Sequence, residues 1–121
     1  MFLDNIEELA EENTNFRKVV HTGTHCQTVI MSIPEGEDIG EETHPNTDQI
    51  LLVVEGQAEI IIDGEIKKLQ DQGVAFVPAG AKHNVKNTGH EDLKLFTVYA
   101  PPEHPEGTVH ETKEKAIESE R

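Results

Sequence analysis

The chain has 121 residues, 24 acidic against 10 basic, with a formal net charge of −14 and a hydrophobic share of 35%. That length gives one domain with one modest core, and the acidic excess excludes nucleic acid and anionic membranes as partners. No apolar run reaches the ~20 residues of a membrane span, Met1-Phe2-Leu3-Asp4 lacks the look of a signal peptide, and the single Cys26 fits a reducing cytoplasm.

Residues 5–13 are predicted to form a short helix, with Asp4 as N-cap, Glu7 completing a capping box, and Ile6, Leu9 and Ala10 on one face. Residues 1–15 are thus an N-terminal helix and arm. Phe16 to His21 is predicted as a strand, Thr22-Gly23-Thr24 as a turn, and His25 to Ile33 as a second strand. Alternation leaves its inward face open; His25, Gln27, Val29, Met31 and Ile33 are favoured because that face ends in three large apolar residues. Glu42 and His44 are two apart, so an extended backbone turns both to one side. Ile50–Val54 is a continuous apolar run, as in a strand covered on both faces. Ala58–Ile62 and Glu65–Leu69 flank Asp63-Gly64, the clearest hairpin signal of the chain. Val74–Val77 is stopped by Pro78. Asn84–Lys86 and Leu93–Ala100 complete a barrel over residues 16–100. Residues 101–121 are expected to form a surface tail, carrying His104 and His110, with a frayed helix over 111–119 capped by Thr112. Eight to ten short strands at even spacing, with turns between, indicate an all-β antiparallel sandwich or barrel with short terminal helices.

Two segments carry the chemistry. Glu42-Thr43-His44-Pro45-Asn46-Thr47-Asp48-Gln49, then six residues and Gly56, has the spacing of a first motif G-x5-H-x-H-x3–4-E-x6-G. Pro78-Ala79-Gly80, His83 and Asn87 follow a second, G-x5-P-x-G-x2-H-x3-N. On these motifs, spanning about residues 36–100, the chain resembles the cupin superfamily. The resemblance implies a double-stranded β-helix, or jelly-roll barrel, with a site in its mouth, often in dimers. Three departures stand out. Glu42 replaces the first histidine, Gln49 replaces the glutamate, and Gln72 occupies the place of the glycine opening the second motif, with Gly73 one position late.

A typical family site holds a divalent metal with three imidazoles and one carboxylate. Here the implied ligands are Glu42, His44, Gln49 and His83, with the same −1 ligand charge because the acid has moved to the first position. Two imidazoles and one carboxylate suit Mn, Fe, Ni or Zn with positions left open. Asp48 is the alternative to Gln49; only one of the two faces inward, and the spacing to Gly56 favours Gln49. A metal-free arrangement, with Glu42 and Gln49 hydrogen-bonded to each other, is the competing reading. Tyr99 is a candidate catalytic hydroxyl, and Gln27 and His25 are candidate substrate contacts. The implied function is a metal-binding small cupin, in the cytoplasm and as a homodimer, that binds or acts on a small oxygen-rich metabolite, a sugar or a carboxylate. An isomerase, decarboxylase or dioxygenase is the enzyme form. The alternatives are a non-catalytic binding module and a structural dimer with a vestigial site.

Overall fold

The computed structural model describes residues 1–120. The elements in chain order are α1 (Ile6–Glu12), β1 (Arg17–Thr22), β2 (Gln27–Ile33), β3 (Glu42–Thr43), β4 (Asp48–Glu55), β5 (Ala58–Ile62), β6 (Glu65–Leu69), β7 (Val74–Val77), β8 (Lys82–Asn87), β9 (Leu93–Ala100), β10 (Val109–His110) and α2 (Lys113–Ser119). They form a six-stranded sheet, β10-β1-β2-β9-β4-β7, facing a four-stranded sheet, β3-β8-β5-β6. All pairings are antiparallel. This is the double-stranded β-helix that the motifs imply.

The inner faces follow from alternation. Gln27, Val29, Met31 and Ile33 of β2 point inward, as do Leu51 and Val53 of β4 and Leu93, Leu95 and Tyr99 of β9. The apolar run of β4 is explained by its other face. Leu52 and Val54 pack outward with Ile30 and Phe96 against Ala10, Ile6 and Leu9 of α1. The second strand begins two residues later than its sequence suggests. Gly23 donates its N–H to the carbonyl of Cys26, and this turn leaves His25 and Cys26 exposed. The expected capping box is absent as well: Asn5 is the N-cap of α1 with no side-chain cap bond, and Asp4 accepts from the Asn5 N–H.

The Asp63-Gly64 hairpin has both residues at positive φ, 47° and 85°, as a two-residue type I′ turn requires. The shifted glycine has a clear cause. Gln72 itself adopts φ 71°, while Gly73 lies where a side chain has no room. Replacing Gln72 by Gly removes a left-handed non-glycine residue at an exposed position, and is expected to raise stability by about 0.5–1 kcal/mol in urea unfolding.

The tail is not a loose surface appendage. β10 adds an edge to the large sheet beside β1, and α2 is capped by Thr112 Oγ1, which accepts the Lys115 N–H at 3.2 Å. Ala116 is buried with Phe16 in the main core, so the polar helix is docked by one small residue rather than frayed. Lys113 adds an ion pair to Asp38. The Asn84 side-chain amide and the Lys113 ammonium hold the Asp38 carboxyl below its ordinary range. The lowered value makes this contribution present above the ordinary carboxylate range and lost as pH falls through the lowered one.

Candidate metal centre

The site forms where the two motif segments are joined. Glu42 pairs with His83 across β3 and β8, and the Gly80 N–H donates to the carbonyl of His44 at 2.9 Å. Gly80 has φ 87°, which the Pro78-x-Gly80 turn needs. The Ala79 N–H caps the same junction by donating to Asp48 Oδ1 at 2.9 Å. Asp48 is therefore the exposed member of the Asp48/Gln49 pair, and Gln49 is the buried one. Asn87 is buried and structural: its amide donates to the carbonyls of Ile33 and Glu91, and its oxygen accepts the Gly89 N–H.

One donor atom each from Glu42, His44 and His83 lie within 4.8 Å of one another. His44 and His83 are 7% and 4% exposed, and Nε2 of each is buried without a hydrogen-bond partner. Their Nδ1 atoms are both engaged. His83 Nδ1 faces the carbonyl of Ala81 at 3.1 Å, and His44 Nδ1 faces Glu103 Oε1 at 2.8 Å. A carbonyl and a carboxylate can only accept, so each ring carries its proton on Nδ1 and presents the Nε2 lone pair inward. Glu42 Oε2 stands 3.9 Å from His44 Nε2. Two unpaired imidazole nitrogens aimed at a carboxylate form a donor set for a divalent cation, and buried polar atoms otherwise find partners.

Gln49 sits in the facing sheet, in register with Tyr99 of β9 and Val77 of β7. Its amide nitrogen donates to Thr97 Oγ1 at 3.0 Å, which turns Oε1 into the oxygen without a partner. Tyr99 is buried, with its ring 5.7 Å from that of His44. Burial raises its hydroxyl pKa far above the ordinary value, so at neutral pH it is a phenol that donates and does not take a proton.

Gln27 lies in the same row as Tyr99, and its amide is fully used. Oε1 accepts the N–H groups of Glu103 and His104, while Nε2 donates to the carbonyl of His104 and to Thr22 Oγ1. It fastens the 101–105 loop over the barrel mouth. His25 lies on the exposed turn before β2, outside this group. His104 is not a free surface residue: its ring meets Tyr99 edge-on at 5.0 Å, and burial, with repulsion from Arg17, His44 and His110, lowers its pKa to about 3.

Two residues of the site escape sequence reading. Glu103 orients His44 and is braced by Thr47 Oγ1 at 3.1 Å. Arg17, 2% exposed, brings a guanidinium to 3.9 Å from Glu42 Oε1. No motif marks either, and Glu103 depends on a loop that Gln27 holds. Glu103→Ala is expected to leave the fold intact and weaken metal binding about 10- to 100-fold, read by titration with Mn(II) or Zn(II).

The chain is 45% identical to YrkC of Bacillus subtilis over 98% of its own length and 67% of that protein. The crystal structure of BH2720 from Bacillus halodurans superposes with a TM-score of 0.95 at 45% identity, covering 97% of this chain and 93% of that one. A segment of the mannose-1-phosphate guanylyltransferase of Salmonella montevideo is 33% identical over 63% of this chain, which spans 16% of that enzyme. The sequence profile of the Cupin domain matches residues 29–99, from the inward face of β2 to the buried tyrosine of β9. With the motifs, the facing sheets and this match in agreement, the chain belongs to the cupin family.

Proposed function

We propose that Glu42, His44, Gln49 and His83 hold a divalent transition metal (Mn, Fe, Ni or Zn), and that this centre binds or acts on a small oxygen-rich metabolite. The observation that carries the reading is the pair of buried, unpartnered Nε2 atoms directed at one carboxylate. Glu42 supplies the anionic ligand and the Gln49 oxygen a neutral one. When bound, the metal supplies Lewis acidity toward a carboxylate, an enol or a hydroxy-ketone at its open positions. Glu103 and the Ala81 carbonyl keep the two imidazoles in the ligating tautomer. Tyr99 serves as hydrogen-bond donor to a bound oxygen, not as a base.

The alternative is a module that binds without turnover. A homodimer fits the outer surface. Phe76 and Ile50 are neighbours in register and exposed, with Val74 beside them on the edge strand β7. The exposed free Cys26 fits a reducing compartment such as the cytoplasm.

The test is a melting series with Mn(II), Fe(II), Ni(II) and Zn(II), followed by turnover panels for isomerase, decarboxylase and dioxygenase chemistry. A metal bound only by the folded chain stabilises it by about 2.7 kcal/mol at a hundred times its dissociation constant. An unchanged melting temperature with every metal contradicts the reading. A metal-dependent rise without turnover selects the binding module.

A further inference from the structure

Arg17 is a buried cation with incomplete pairing. It leaves β1 at the level of Met31, two inward rows from Gln27, and its guanidinium reaches back to the metal centre. Its Nε is buried with no hydrogen-bond partner. Nη2 stands 3.9 Å from Glu42 Oε1, and Nη1 stands 3.9 Å from Glu120 Oε1. Both separations exceed a hydrogen bond. The ring of Phe16 lies 5.3 Å from the guanidinium carbon and covers one face. Glu120 is 60% exposed, so water screens it and a ligand can displace it readily. A cavity of about 230 Å³ leads in from the surface between α2 and residues 39–42, with Arg17 and Glu42 in its wall.

We propose that Arg17 reads an anionic group on the ligand, and that the ligand is a small carboxylate with a second oxygen donor beside the acid, of the 2-hydroxy or 2-oxo acid class. This rests on the metal reading above. Two observations support the choice. The guanidinium fork matches a carboxylate bidentately, whereas a neutral hydroxyl leaves its charge unanswered. The Glu42 carboxylate spans the space between Arg17 and His44, 3.9 Å to each, so an acid group with a neighbouring oxygen has the reach to touch both the guanidinium and the centre.

The experiment titrates Mn(II)-loaded protein, its occupancy measured first, with glycolate and with the neutral glycolamide. The parent is expected to bind glycolate at least about tenfold more tightly than glycolamide. Loaded Arg17→Gln is expected to lose about 10- to 100-fold in glycolate affinity, while its affinity for glycolamide stays put. Arg17→Lys, which keeps the charge without the fork, falls between. If Arg17→Gln does not fold, the acid-versus-amide ratio on the parent and the lysine variant decide alone. Equal affinity of the parent for acid and amide, or an unchanged glycolate affinity in a loaded Arg17 variant, overturns the proposal and leaves the metal centre standing. A parent that takes up no metal removes the centre and this proposal with it.

Discussion

Gln27→Leu is expected to cost about 2–4 kcal/mol of stability, on the order of 10 °C in melting temperature, and to weaken metal binding at a distance. The side chain is buried, and Leu fills similar space, so a cavity is not the cause. The loss comes from the 101–105 loop. Two backbone N–H groups and one carbonyl of Glu103 and His104 lose their partners together. Once the loop is released, Glu103 no longer holds His44 Nδ1, and metal affinity should drop by the same 10- to 100-fold as in Glu103→Ala. A double variant should then lose little more affinity than either single one, since both act through one contact. Full metal affinity in Gln27→Leu, despite a lowered melting temperature, would show that the loop is not what positions His44.

Gly73→Ala is expected to destabilise the fold by about 2–4 kcal/mol, measured by urea unfolding. A Cβ at this position would stand 2.8 Å from the carbonyl oxygen of Gln70 and 2.9 Å from Leu69 Cβ. The turn has little freedom to move away. Gly73 donates to the Gln70 carbonyl at 2.7 Å, and Val53 of β4 bonds to Gly73 and Gln72 at 2.8 Å each. Shifting the turn therefore pulls on β4, whose first residues carry Gln49. Gln72→Gly, one position away, carries the opposite sign. A glycine-to-alanine change that proved neutral would mean that the turn relaxes without disturbing the ladder.

The residues that sequence reading places well are those governed by local rules. The hairpin at Asp63-Gly64 and the stop at Pro78 follow from turn chemistry, and the structure has both; alternation alone left the inward face of β2 open, because both of its faces are largely buried. The juxtaposition of Glu42, His44 and His83 was legible only through the resemblance to the family's two motifs, which implies that these strand positions meet. What was not legible depends on contacts between distant segments. β10 pairs with β1 across more than ninety residues, and nothing in Val109-His110 itself signals a strand. The docking of α2 rests on Ala116, a residue too small to mark an apolar face. Arg17 reads as an ordinary surface cation until the strand direction turns it inward, and Glu103 as one acid among many.

The acid at position 42 is the most informative departure from the family pattern. Its side chain is 23% exposed and stands between a buried guanidinium and an imidazole, 3.9 Å from each. In the proposed centre the oxygen of Gln49, which has no other partner, would complete the set without adding a second charge. The two replacements are thus read as one compensating exchange.

Element analysis of the purified protein, alongside His83→Ala, tests this account most directly. After incubation with Mn(II) or Zn(II) and desalting, the parent is expected to retain about one ion per chain, and the variant to retain a small fraction of that while still folded. Equal metal content in the folded parent and the folded variant, or none in the parent, would contradict it.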